Sequence, residues 1–336
     1  MARKRARIIY NPSSGREAVK REMLDILAVY EQAGYETSAF ATTPEPLSAA
    51  HEATRAAKDG FDLIVAAGGD GTINEVVNGI AGLPKRPMMA IIPAGTTNDY
   101  ARALKVPRDE PLEAAKVILK DETIKMDIGK VIHGDSTKYF MNIAALGTIS
   151  EVTYGVPSAM KSLYGYLAYL VKGAELLTRV KNVQAKVVYD GGEYSGDISM
   201  IFLALTNSVG GFESIVPDAK LDDGQFTLLI VKSSNIFQVL QLVAQMLNGG
   251  KHVDNERLIY KKTDHVEITP LSDERLKVNL DGEYGGDAPM TFDNLKQHIR
   301  FVANRSAMTP GSTDEAKREF VKQVEELEAK VEEQKD

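Results

Sequence analysis

The chain has 336 residues, a formal net charge of −7 and no cysteine. Its length predicts two domains, and the charge argues against a general nucleic-acid binder. The lack of cysteine excludes disulfides and thiolate metal sites, which fits a reducing cytoplasm.

Neither a signal peptide nor an apolar run long enough to span a bilayer is visible. Charge is uneven. Arg3, Lys4, Arg5, Arg7, Arg16, Lys20 and Arg21 crowd the start, whereas the end is acidic. The basic segment has two readings: ordinary surface charge, or a face that meets phosphate, soluble or in a membrane.

In chain order, Arg7 to Tyr10 reads as a strand, followed by the turn cluster Asn11-Pro12-Ser13-Ser14-Gly15. Val19, Met23, Ile26, Leu27 and Tyr30 then recur at helical spacing, and Gly34 supplies a stop. Thr37 to Thr42 predicts a second strand and residues 46 to 58 a helix. Two further strand–loop–helix units follow. Leu63 to Ala67 runs into Gly68-Gly69-Asp70-Gly71-Thr72, and Met88 to Ile92 runs into Pro93-Ala94-Gly95-Thr96-Thr97-Asn98-Asp99. The repeated βα pattern predicts a doubly wound, mainly parallel α/β sheet.

After about Asp127 the pattern becomes β-rich. Val183 to Tyr189 and Tyr194 to Thr206 flank Asp190-Gly191-Gly192 as a hairpin. Phe226 to Val231, Val266 to Thr269 and Arg275 to Leu280 read as strands, the last ending in an Asp281-Gly282 turn. Short strands at this spacing predict a sandwich-like second domain, with helical inserts near 159–180 and 235–247. The expected division is an α/β domain over 1–128, a β-rich domain over 129–297, a segment 298–312 returning to the first domain, and a charged helix over 313–336.

The two glycine loops carry the chemistry. Both lie at the carboxyl ends of neighbouring strands, where open α/β sheets bind ligands. Backbone N–H groups of Gly68, Gly69 and Gly71 can approach an anion, and the following helix adds its positive N-terminus. There is no P-loop lysine, which leaves a magnesium ion near Asp70 to neutralise a triphosphate. Asp70 has a second reading, as a turn residue that caps the next helix, and Asn98 or Asp99 could cap theirs. Asn11 to Gly15 and Thr42 fall on the same sheet edge. Glu283 reads on its own as a hairpin tip. The acidic loop Pro217 to Gly224 is either a turn or an oxygen-ligand metal site.

Gly68 to Thr72 with Asn74-Glu75, the Pro93 to Asp99 loop, and Leu280-Asp281-Gly282-Glu283 together resemble the diacylglycerol kinase catalytic fold, and most of all the soluble bacterial members. The resemblance runs from Arg5 to about residue 305. It implies transfer of the γ-phosphoryl group of ATP to diacylglycerol at an anionic membrane surface, by a cytoplasmic, peripheral homodimer. It also implies that Asn11, Pro12, Ser13, Ser14, Gly15, Thr42, Gly68, Gly69, Asp70, Gly71, Thr72, Ile73, Asn74 and Thr96 surround ATP. Glu283 matches the family's general base. Asp70, Asp99 and Asp127 match carboxylates that arrange Mg2+ and its waters. A structural magnesium would sit on the Asp223 carboxylate and the main-chain oxygens of Lys220 and Gln225. The first motif is shared with kinases of soluble acceptors such as NAD, and a sphingoid-base type of lipid alcohol is an alternative substrate.

The stretch Tyr164 to Lys181 is a basic amphipathic pattern. It reads either as a core-facing helix or as one lying on a bilayer. With membrane docking in view, Arg16, Lys20 and Lys172 are the candidate contacts.

Overall fold

Residues 63–68 are buried along their whole length, as a strand covered by helices on both faces must be. This strand lies at the centre of the first half of the chain. The computed structural model describes residues 3–95, 98–108, 110–147, 182–206, 219–234 and 255–308, with 208–209, 212–213, 238 and 242. The expected helices near 159–180 and 313–336, and nearly all of the one near 235–247, lie outside the described residues.

The first half alternates β1 (Lys4–Tyr10), α1 (Ala18–Arg21), α2 (Met23–Gln32), β2 (Tyr35–Ala41), α3 (Ser48–Lys58), β3 (Leu63–Gly68), α4 (Asp70–Ala81), β4 (Met88–Pro93), α5 (Asp99–Leu104) and α6 (Pro111–Lys116). The strands pair in parallel in the order β4-β3-β1-β2. Register places Tyr10 opposite both Ala41 and Ala67, and Gly68 opposite Pro93. The four strands therefore end together, and their loops share one edge. The single helix expected over Val19 to Tyr30 is broken at Glu22, which leaves helical geometry. Its carboxylate accepts the N–H of Leu112 at the start of α6, 3.1 Å away.

The β-rich half contains β5 (Thr123–His133), β6 (Ser136–Phe140), β7 (Ile143–Gly147), β8 (Val183–Tyr189), β9 (Gly192–Ala204), β10 (Ser208–Val209), β11 (Phe212–Glu213), β12 (Phe226–Lys232), β13 (Leu258–Thr263), β14 (His265–Pro270), β15 (Lys277–Leu280), β16 (Glu283–Asp287) and β17 (Met290–Val302). Two long strands change partners midway. β9 pairs with β8 through its first half, and with β7 and β12 through its second. β17 pairs with β14 and β5, then lays Phe301 parallel to Met89 of β4. One hydrogen-bonded network thereby supplies two facing layers. Phe140 of β6 stacks on Phe226 of β12 with ring centroids 5.8 Å apart, across the core between them. That core includes Leu146, Val187, Leu203, Ile230, Ile268 and Phe292. The α/β half has its own core around Ile8, Ile64, Val65, Ile91 and Tyr100. The domain boundary expected after residue 128 falls inside β5, which runs unbroken to His133.

Candidate active site

The loops at the common strand edge are held by backbone before any side chain acts. Asn11 N–H donates to Ala67 O, Thr42 N–H to Tyr10 O and Ala94 N–H to Gly68 O, all at 2.8–2.9 Å. The Asn11 side chain then folds its own loop. Its Oδ1 accepts from the N–H and hydroxyl of Ser13, at 3.0 and 2.8 Å. Gly15 has φ +58° and lies against Ala94, so the first and fourth loops touch.

The two glycine loops pack closer still. A Cβ on Gly95 would stand 2.8 Å from the Gly69 Cα and 2.9 Å from the Asn98 side-chain oxygen. Only glycine permits that backbone approach. Asn98, 4% exposed and in the left-handed region, closes the second loop with its own amide. Its Oδ1 accepts from Gly95 N–H and its Nδ2 donates to Gly95 O, both at 2.9 Å. Thr72 folds back over Gly68. Thr96 lies outside the described residues.

Asp70 occupies the first position of α4, after Gly69 at the cap, and so does not cap its own helix. It reaches to the second loop, where Oδ2 accepts the Asn98 N–H at 3.0 Å. Oδ1 is buried with no partner among the described residues. Burial first, and then the nearby charges of Asp99 and Asp281, push the Asp70 carboxyl up to about 7. Asp99, 9% exposed, begins α5. A buried carboxylate oxygen with no donor, crowded by two further acids, is a place where a cation lowers the energy. Magnesium fits the chemistry of Asp70 and Asp99.

Glu283 projects from the tip of the β15–β16 hairpin. Asp281 and Gly282 form its two-residue turn at φ +53° and +96°, which matches the twist of the strands. The tip faces the first glycine loop, after β3, and Glu283 Oε1 lies 3.6 Å from where a Cβ on Gly71 would be. Glu283 is exposed, and its carboxylate has no hydrogen-bond or ion-pair partner among the described residues. The fold thus brings together Asp70, Asp99, Gly71 and Glu283 from both halves of the chain.

Asn74, expected beside ATP, and Asp127, expected among the carboxylates that arrange Mg2+, have partners within the protein. The Asn74 amide points to Asp281 Oδ2 at 3.0 Å. Asp127, 1% exposed, accepts from Gly224 N–H at 2.5 Å and Gln297 N–H at 2.7 Å. Gln297 is at the register shift between β17 and β5, and Asp127 satisfies the N–H left over there. Burial raises the Asp127 pKa, and Asp223 and Asp222 add to the rise. Asp127 therefore adjoins the 220–225 loop. In that loop Asp223 Oδ1 accepts the Gln225 N–H at 3.0 Å, and Oδ2 lies 3.7 Å from Lys262 Nζ. Among the described residues, no three His, Asp or Glu side chains converge in metal-binding geometry.

Sequence reasoning gave no specific role to Asn98 as a loop clasp, nor to Tyr100, Asn78 and Asp281. The left-handed Asn98 and the Asp281 turn carry a signal of backbone shape, but not of the distant partners each one binds.

Residues 5–131 match the model for the diacylglycerol kinase catalytic domain, and residues 147–303 match that for the YegS C-terminal NAD kinase beta sandwich-like domain. A diacylglycerol kinase of Bacillus subtilis is 48% identical over 299 residues, covering 89% of this chain and 96% of that protein. One of Staphylococcus aureus is 48% identical over 302 residues, covering 90% and 93%. The crystal structure of a putative diacylglycerol kinase from Bacillus anthracis superposes with a TM-score of 0.78 at 27% identity, covering 92% of this chain and 98% of that one. The chain is a kinase and belongs to the diacylglycerol kinase family.

Proposed function

We propose that this kinase transfers the γ-phosphoryl group of ATP to the free hydroxyl of diacylglycerol, giving a phosphatidic acid. The observation that carries the reading is Glu283, a carboxylate without a partner among the described residues, held against the Gly71 turn of a phosphate-type loop. An alcohol is a weak nucleophile at neutral pH. A carboxylate within hydrogen-bond reach accepts its proton as the bond to phosphorus forms. In this reading the loops Gly68 to Ile73 and Asn11 to Gly15 surround the phosphates, with Thr42 and Thr96 beside them. The N-terminus of α4 adds its field.

Asp70 and Asp99 would hold Mg2+, which neutralises phosphate charge when bound. Asp127 would support the 220–225 loop, where Asp223 and the main-chain oxygens of Lys220 and Gln225 are the proposed second cation site. The crowding of Asp127, Asp222 and Asp223 supports a cation there.

Diacylglycerol stays in the membrane, so the enzyme works at its surface. No helix among the described residues is long and apolar enough to cross a bilayer. Docking through Arg16, Lys20 and Lys172 of a homodimer, on the inner face of the membrane, completes the reading.

The test is phosphoryl transfer from labelled ATP in mixed micelles, with diacylglycerol, a sphingoid base, ceramide and NAD compared side by side. Diacylglycerol should give the highest kcat/KM. A preference for NAD or a sphingoid base refutes the substrate assignment.

A further inference from the structure

The hairpin that carries Glu283 is tied to the rest of the site by a side chain to which the chemistry above gives no task. Asp281 lies two residues before Glu283, at the first position of the tight turn. Its Oδ2 accepts the Met141 N–H at 2.8 Å and the Asn74 amide at 3.0 Å. Its Oδ1 accepts the N–H groups of Asn142 and Ile143, each at 2.9 Å. Its own N–H donates to Ile143 O at 2.9 Å.

Asn74 is on the second turn of α4, whose first turn is the phosphate loop. One turn further on, Asn78 accepts the Tyr139 N–H and donates to Tyr139 O, both at 2.9 Å. From α5, the helix that follows the second glycine loop, Tyr100 sets its hydroxyl beside the Asp281 carboxylate, short of a full hydrogen bond; burial raises the Asp281 pKa, and Tyr100 and the N–H groups of residues 141–143 oppose the rise. The helices leaving both glycine loops and the 141–143 segment therefore meet at one carboxylate.

The residue type matters. Four N–H donors converge on two oxygens, and an ionised carboxylate offers about four lone-pair sites. An asparagine would turn an amide NH2 toward N–H donors. Without this clasp, the hairpin keeps its strand pairing, the Lys138 Nζ contact to Tyr284 O and the turn bond from Gly282 N–H to Asn279 Oδ1, but loses its tie to α4 and to the 141–143 segment beside Gly71.

We propose that Asp281 is a positioning residue that holds Glu283 in register with the phosphate loop, with Asn74 as its contact on the nucleotide-binding half. This rests on the reading of Glu283 as the base. It assigns Asn74 to the clasp between the two halves rather than to the nucleotide. A displacement of about 1 Å at a reacting group can cost about 100-fold in rate.

The experiment is a mutant cycle in mixed micelles at saturating diacylglycerol, with kcat and the ATP KM measured for Asp281→Asn, Asn74→Ala, Glu283→Gln and the two doubles with Glu283→Gln. Asp281→Asn should lower kcat about 100-fold and Asn74→Ala about 10-fold, with the ATP KM within about 3-fold of wild type. In the Glu283→Gln background neither should cost more than a further ~2-fold, because there is no base left to position.

Full additivity overturns the proposal, since a merely structural loss persists without the base. So does a raised ATP KM at wild-type kcat in Asn74→Ala. Should Asp281→Asn not fold, the Asn74→Ala pair decides alone. Wild-type turnover in Glu283→Gln is a separate result, which defeats the base assignment and this proposal with it.

Discussion

Asp70 makes a prediction that needs neither substrate nor turnover. Its carboxyl is pushed up to about 7 in the folded protein, by burial and by Asp99 and Asp281. In an unfolded chain an aspartate titrates near ~3.9. Between those values the native state binds more protons than the unfolded state, so stability falls as pH rises through that window. The loss is full above about pH 7. A shift of roughly 3 units at ~1.36 kcal/mol each gives about 4 kcal/mol.

Asp70→Asn removes the titration and keeps an oxygen for the Asn98 N–H. It also leaves a buried amide group where Oδ1 now has no partner, at a cost of about 1–3 kcal/mol at any pH. The variant should therefore be less stable than wild type near pH 4, where Asp70 is protonated, and more stable near pH 8. The assay is calorimetric melting of both ligand-free proteins across that range. The difference in stability should swing by about 4 kcal/mol, which for a domain of this size is roughly 8–16 °C in Tm. Saturating magnesium-ATP should reverse the order at pH 8, because the ionised carboxylate then has a cation. Parallel stability curves at every pH would falsify the account of Asp70 as a buried acid whose carboxyl titrates at about 7.

Four further outcomes are expected. Glu283→Gln should lower turnover by ~10²–10⁴ with folding and ATP affinity almost intact, and a variant that keeps half of wild-type turnover removes Glu283 from the chemistry. Gly95→Ala should drive a methyl group into the Gly69 backbone and spread the phosphate cradle, raising the ATP Kd at least ~10-fold in a nucleotide titration; an unchanged Kd places the phosphates elsewhere. Magnesium without nucleotide should raise the Tm of wild type more than that of Asp223→Ala, and an equal response in both excludes the second cation site. Replacing Arg16, Lys20 and Lys172 with glutamate should weaken binding to anionic vesicles and activity on vesicle-borne substrate, each basic residue being worth ~1 kcal/mol there. Activity on a short-chain monomeric substrate should survive, and equal loss on both forms refutes docking.

What the sequence discloses about this molecule depends on how far away each residue's partner lies. The buried strands Leu63–Gly68 and Met88–Pro93 declare themselves by composition, and the Asp281-Gly282 turn by its two residues. From strand ends alone it follows that Asn11, Thr42, Gly68 and Pro93 share an edge, because parallel strands entered from helices must finish on the same side. The break at Glu22 is hidden. Apolar spacing continues across it, and the N–H that the Glu22 carboxylate accepts belongs to Leu112, 90 positions away. β5 is equally hidden, because the shift from α/β to β-rich composition falls within the strand that joins the two halves.

The same distance rule sorts the site. A glycine loop is a local object, and its anion-binding shape is written in consecutive residues. The electrostatics of Asp70 are not local, since they depend on Asn98 at 28 positions and on Asp281 far beyond. Asp127 shows the difference most clearly. Its two N–H donors are Gly224 and Gln297, 97 and 170 positions on. A buried acid takes its role from whichever N–H groups the fold leaves over, and in this chain the register shift at Gln297 leaves one over beside Asp127. Glu283 is the converse case. Among the described residues no N–H group claims its carboxylate, which faces the Gly71 turn, while the N–H groups of residues 141–143 and the Asn74 amide go to Asp281 two positions earlier.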